Sequence, residues 1–118
     1  MSPALKALAE RAIAAGAPEA DDHTIIVVPG VSFRSVLTGL VYDRLTRLPL
    51  LSDPSWLGWV LDEVSRRGYA YAIEAVDGGM YRVNAWHSSW VCERYSLHMG
   101  REEALVTLLE ATHTKSAP

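Results

Sequence analysis

The stretch from Asp53 to Leu97 constrains the fold most, because its start, its periodicity and its stops agree with one another. Asp53 is a good helix N-cap, and Pro54 sits at the first helical position, where a missing N–H costs nothing. Trp56, Leu57, Val60, Leu61 and Val64 recur at i, i+3 and i+4 spacing and so form one apolar stripe. Arg66 and Arg67 complement the helix dipole in the last turn, and Gly68 can take the left-handed conformation that ends a helix. Strands are expected next, over Tyr69 to Val76, Met80 to Trp86 and Trp90 to Leu97. Asp77, Gly78 and Gly79 form a hairpin signal between the first two, and His87, Ser88 and Ser89 join the second to the third.

The rest of the chain is fitted around that unit. Residues 3–16 predict a helix with Leu5, Leu8, Ala9, Ala12 and Ile13 on one side. A polar connection through Glu19, Asp21 and Asp22 leads to a short β-branched strand over 24–28, stopped by Pro29 and Gly30. Ser32 can cap a helix over 32–47, in which Phe33, Val36, Leu37, Leu40, Val41 and Leu45 hold helical spacing, and Pro49 ends it. After Gly100, a helix is expected to Thr112, with Ala104, Leu105, Leu108 and Leu109 as its stripe and Glu102 and Glu103 at its start. Residues 113–118 read as a flexible tail. The order is α-β-α-α-β-β-β-α in one α+β domain over 1–118, an antiparallel three- to four-stranded meander with helices packed on it. The first strand is expected at an edge of that sheet, and the first helix over part of its other face.

Composition excludes several classes. A chain of 118 residues, 49% hydrophobic, is long enough to bury one core and too apolar for disorder. A net charge of −3 carries no global electrostatic footprint for nucleic acid. The single cysteine, Cys92, excludes an internal disulfide framework and a multi-cysteine zinc site, which fits a reducing cytoplasm. No apolar run approaches the roughly 20 residues of a membrane span, and the N-terminus lacks the apolar core of a secretory signal. The expected location is therefore cytoplasmic.

Strand register yields the main surface hypothesis. With a turn at His87, Ser88 and Ser89, Trp86 lies opposite Trp90 and Arg82 opposite Arg94. With a turn at Asp77, Gly78 and Gly79, Glu74 lies opposite Arg82. One face then carries Glu74, Arg82 and Arg94 in a row beside Asn84, Trp86 and Trp90. The other carries Tyr71, Ile73, Tyr81, Val83, Val91, Tyr95 and Leu97 into the core. A two-residue turn at Ser88 and Ser89 would reverse the parity of the last strand. Two readings of the polar face stand side by side. It is either a solvated surface with tryptophans packed under the first helix, or an aromatic and arginine binding surface of the kind enriched at interface hot spots.

Other chemistry is sparse. Cys92 has no basic motif nearby and reads as a small buried hydrophobe. His87 and His98 flank the last strand at opposite ends, and His23 and His113 lie in a connection and the tail, so no metal site is expected. Ser32 and Arg34, at the start of the expected second helix, offer a weak anion-binding site without the glycine and lysine spacing of a phosphate loop. Asp62 and Glu63 point away from the apolar stripe of their helix and read as solvated rather than catalytic. No catalytic motif or cofactor signature appears.

Several segments together resemble a known family. They are LTGLVYDRLTRL read as a helix, the link LPLLSDPSW with Pro49, Ser52 and Asp53, the helix WLGWVLDEVSRRGY, the hairpin IEAVDGGMYRVNAW and the closing helix EEALVTLLEA. Over Leu37 to Thr112 the chain resembles the phage ABA sandwich domain, a family of bacteriophage and prophage proteins of unknown function. The resemblance implies an accessory viral protein and transfers no site residue. The order from Asp53 to Thr112 is also similar to a double-stranded-RNA-binding domain, and the earlier order to a winged helix with Pro54 to Arg67 as recognition helix. In the first, Arg101 is followed by Glu102 and Glu103 where a lysine cluster is expected, and in the second the recognition helix presents Asp62 and Glu63 with Arg66 and Arg67. The reading is a small, non-catalytic binding protein acting through Arg82, Arg94, Trp86, Trp90, Glu74 and Asn84, with nucleic-acid binding as the alternative. Its partner is a protein or small ligand, and a homo-oligomer stays open.

Overall fold

The computed structural model describes residues 2–21, 25–28, 32–87 and 94–113. It is a mixed α+β fold in the order α1 (Pro3–Ala14), β1 (Ile25–Val28), β2 (Ser32–Ser35), β3 (Val41–Asp43), α2 (Pro54–Arg66), β4 (Tyr69–Val76), β5 (Met80–His87), β6 (Arg94–Met99) and α3 (Arg101–Ala111). The strands form two antiparallel sheets, β1-β2-β3 and β4-β5-β6. Two compact units divide the chain, Met1–Trp59 and Val60–Pro118, with α2 running from one into the other.

In the first unit, α1 is capped by Ser2, whose Oγ accepts the Leu5 N–H at 3.2 Å. The helix buries Ala9 and Ala12, small residues that permit close approach. The segment 32–47 is not a helix. Its helical spacing arises where two short strands and their turns happen to place apolar residues three and four apart. Gly39 at φ +76 supplies the left-handed residue of the turn, the Ser35 Oγ accepts the Thr38 N–H at 3.3 Å, and the Gly39 N–H donates to the Ser35 carbonyl at 2.8 Å. Strand pairing sets Phe33 against Tyr42, whose rings stack 5.5 Å apart. Leu37 and Leu45, two members of the expected stripe, are 73% and 85% exposed, while Phe33, Leu40, Val41 and Tyr42 are buried. β1 pairs with β2 rather than extending the later meander, which corrects the expected edge position.

Asp53 caps α2 as expected, accepting both the backbone N–H and the hydroxyl of Ser55. Trp56, Val60 and Val64 are buried along the anticipated stripe. Gly68 follows at φ +90, and a Cβ there would meet the His87 ring at 3.1 Å.

The second unit is the expected three-stranded antiparallel meander with α3 packed on β5 and β6. The turn Asp77–Gly79 joins Val76 to Met80, and Glu74 pairs with Arg82. α3 buries Ala104, Leu105, Val106, Leu108 and Leu109. The Gly100 N–H donates to the Gly79 carbonyl at 3.2 Å, which ties the start of α3 to the hairpin turn. The register of β6 differs from expectation. Ala85 pairs with Arg94 and Arg82 with Leu97, so Arg94 is not the cross-strand neighbour of Arg82. The offset is an odd number of residues, which exchanges the two faces of a strand. Likewise Tyr95 pairs with Asn84 rather than lining up with the core positions of β5. Ser88 and Ser89, where a turn is expected, together with Trp90, Val91, Cys92 and Glu93, lie outside the described residues, as do His23 and the residues beyond His113.

Candidate functional site

The second unit gathers four of the expected site residues on one side of the β4-β5 hairpin. Antiparallel pairing sets Ala70 against Trp86, Ala72 against Asn84 and Glu74 against Arg82. The alternating burial of β4, with Ala70, Ala72 and Glu74 exposed and Tyr69 buried, identifies this as the outer face. Opposite Asn84 and Trp86 this face of β4 carries only Ala72 and Ala70, so the longer side chains of β5 stand above a low stretch of strand. That difference in height makes a shallow depression of about 160 Å³ lined by Ala72, Glu74, Arg82 and Asn84.

Its polar groups are arranged in sequence. Arg82 Nη1 donates to Glu74 Oε1 at 2.8 Å across the strand pair. Asn84, beside Arg82 on the same face, has a buried Oδ1 with no hydrogen-bond partner among the described residues. Trp86, 38% exposed, extends the row at the far end of β5. The depression thus offers a carboxylate, a guanidinium and an amide oxygen within one short stretch, flanked by an indole. Such a set can bind a polar group that donates a hydrogen bond, and its one carboxylate is held by the Arg82 guanidinium.

The other expected groups are deployed differently. Arg94 is placed by its backbone opposite Ala85, and Trp90 lies outside the described residues. Ser32 and Arg34 do not form an anion site at a helix N-terminus, because they sit in β2, where Ser32 pairs with Asp43 and Arg34 with Val41. The Arg34 guanidinium donates to the Gly39 carbonyl at 3.1 Å, bracing its own hairpin.

Arg67 is buried. Its Nε meets Glu63 Oε2 at 3.0 Å and its Nη1 donates to the Leu109 carbonyl at 2.9 Å and to Thr112 Oγ1 at 3.3 Å. It therefore caps the C-terminus of α3, and burial pulls its pKa below the ordinary arginine value. Arg66 also contacts Glu63, so the Asp62 and Glu63 pair is split between solvent and this ion cluster. The His87 ring packs edge-on against Tyr69, 5.1 Å between centroids. Among the described residues no group of histidine, cysteine and acidic side chains is arranged to hold a metal ion, and no helix is long and apolar enough to cross a membrane.

A larger cavity of about 350 Å³ lies within the first unit, lined by Glu10, Glu19, Thr46, Arg47 and Leu48 among others. Arg47, at φ +59, holds its guanidinium 5.6 Å over the Phe33 ring, an internal contact that fixes the rim of this cavity. Among the described residues, none that line this cavity has a buried polar side-chain atom without a partner.

The sequence reasoning missed the strands in 32–47 and the role of Arg67 in α3. The second was out of reach, since nothing in the sequence pairs residue 67 with residue 109. No protein-family model, curated protein or solved structure matches the chain.

Proposed function

We propose that this chain is a small, non-catalytic interaction protein that engages its partner through the outer face of β4 and β5. The observation that carries the reading is the Asn84 amide oxygen, buried and without a hydrogen-bond partner among the described residues, in a depression that also holds the Glu74–Arg82 ion pair. A buried polar atom left unsatisfied costs about 1–3 kcal/mol, and a ligand donor placed in the depression recovers it. Trp86 adds an amphipathic anchor of the type that dominates interface energetics. The partner is a protein or small ligand that presents an N–H or O–H group to Asn84 and a polar group to Arg82. The likeness of residues from Pro49 onward to the phage ABA sandwich domain supports a bacteriophage or prophage accessory role in the host cytoplasm. The helix which that likeness places at 37–48 is strand and turn here, so the support comes from the later segments.

The test is native mass spectrometry of the chain purified from host lysate, compared with Arg82→Ala, Asn84→Ala and Trp86→Ala variants. A species retained by the parent chain and lost from all three, with unchanged circular dichroism, is the expected outcome. Retention that is indifferent to these substitutions removes this face as the site.

A further inference from the structure

We propose that β4 is a self-association edge, along which two copies of this chain pair antiparallel to join their three-stranded sheets into one of six strands. β4 runs for eight residues and, among the described residues, has β5 as its only neighbour in the sheet. No backbone hydrogen bond among the described residues reaches Ala70 to Val76 from the side away from β5. Edge strands of this length are ordinarily protected by proline, lysine, an inward-pointing charge or a bulge. β4 has no proline, lysine, inward-pointing charge or bulge, and its one charged residue, Glu74, lies on the outer face. Its sequence is YAYAIEAV, and it pairs with β5 from Tyr69↔His87 to Val76↔Met80 without a skipped residue.

Burial across the sheet points the same way. On the inner face, Val83 and Ala85 of β5 are buried, whereas Tyr71 and Ile73 of β4 are left half-exposed. Among the described residues the apolar face is thus covered less completely at β4 than at β5.

Two features favour a second copy over an unrelated strand. The only charge in β4 is Glu74, already paired with Arg82, so the edge offers a foreign strand almost no charge to read. Self-pairing centred on Ala72 needs none. It sets Ile73 across from Tyr71 of the second copy, an aromatic and β-branched pair, and Glu74 across from Ala70, so no like charges meet. A centre on a residue keeps outer face with outer face in both copies, as a two-fold axis through the sheet requires. One strand pair lies at the small end of protein interfaces, so the dimer is weak and concentration-dependent. The proposal is independent of what the outer face binds.

Sedimentation equilibrium from low micromolar to near-millimolar protein tests it, with Ala72→Lys, Ala72→Glu and their equimolar mixture. Ala72 is exposed, so both variants keep the fold, checked by circular dichroism. The parent chain is expected to dimerise. Each variant alone is expected to associate about tenfold or more weakly, because like charges face each other across the axis. The mixture is expected to recover the dimer, since lysine then meets glutamate. Amide hydrogen exchange over Ala70–Val76 should slow with concentration in the parent chain and not in Ala72→Lys. A parent chain monomeric throughout, a dimer indifferent to both charges, or variants that remain monomeric when mixed would each overturn the pairing.

Discussion

At the scale of single residues, the two arginines that close α2 illustrate how position in the fold decides what a charge does. Adjacent in sequence, they differ completely in setting, with Arg66 76% and Arg67 6% exposed at the side chain. Removing Arg67 leaves Glu63 without its buried counter-ion and takes from the Leu109 carbonyl, at the end of α3, the charged donor it has besides the Thr112 hydroxyl. Arg67→Ala is therefore expected to cost about 2–3 kcal/mol, and Arg66→Ala to leave the urea midpoint unchanged. Arg67→Lys should recover only part of the loss, because an ammonium cannot span Glu63 and Leu109 as the guanidinium fork does. A second buried group sets an acid limit. The Asp43 carboxylate accepts the Thr46 backbone N–H at 2.8 Å and its hydroxyl at 2.9 Å. The backbone bond is the main cause that holds its pKa below the usual carboxylate range, against the opposing effect of burial. With the folded value depressed, its stabilising contribution is complete above the unfolded value of about 4 and disappears as pH falls through the folded value. Asp43→Asn should cost about 1 kcal/mol near neutrality and converge with the parent chain in acid, measured by urea melts at several pH values. Tyr42 sets the opposite limit. Its buried hydroxyl donates to the Pro18 carbonyl at 2.8 Å, and burial raises its pKa. Its contribution is complete below about pH 10 and is lost as pH rises through the higher folded value, so Tyr42→Phe should flatten the alkaline decline in stability.

At the scale of elements, legibility followed the number of independent signals that agreed. α2 had a cap, a proline, an apolar stripe and a terminal glycine, and it lies where they place it. The β4-β5 hairpin had alternation and a glycine turn, and Glu74 and Arg82 meet across it as the register requires. The polar face of the candidate site was legible to that extent and no further. Its continuation onto β6 depended on an expected turn at 87–89, and the β5–β6 pairing differs from that expectation by an odd number of residues, which separates Arg94 from Arg82. Segment 32–47 rested on periodicity alone, and a short window cannot distinguish a helical stripe from two three- or four-residue strands whose apolar ends coincide with it. Its β-branched Val36, Thr38, Val41 and Thr46, and Gly39 in its middle, were the contrary signal. The two arrangements make opposite demands on the leucines. In a docked helix Leu37, Leu40 and Leu45 would all be buried; in the hairpin only Leu40 is. Leu37→Asp and Leu45→Asp are expected to leave the thermal midpoint nearly unchanged, and Leu40→Asp to unfold the chain or cost more than about 3 kcal/mol. Equal sensitivity at the three positions would contradict the hairpin.

At the scale of the whole molecule, the distribution of charge bears on which class of partner the chain can hold. The net charge is −3, and affinity for nucleic acid comes largely from cations neutralising phosphates. The arginines that a recognition helix over Pro54–Arg67 would present are committed elsewhere, Arg67 to α3 and Arg66 to Glu63. The order helix, three strands, helix is present from α2 to α3, but α3 begins with Arg101 followed by Glu102 and Glu103, which oppose a phosphate backbone. The winged-helix order is absent, since 32–47 supplies strands where that arrangement needs a helix. A low-salt gel shift with mixed duplex DNA and RNA is therefore expected to show no complex. A complex that weakens steeply with added salt and is lost on Arg66→Ala would reverse that expectation, because salt sensitivity counts the cations placed on phosphates. On the outer face the balance is different: Arg82 is matched by Glu74, and Asn84 brings an acceptor without net charge. Binding there draws on directed hydrogen bonds and the Trp86 indole rather than on a long-range field, so partner affinity at that face should change little between low and physiological salt. Measuring capture at both salt concentrations separates the two modes in one experiment, since phosphate binding loses orders of magnitude over a range in which a neutral, hydrogen-bonded contact barely moves.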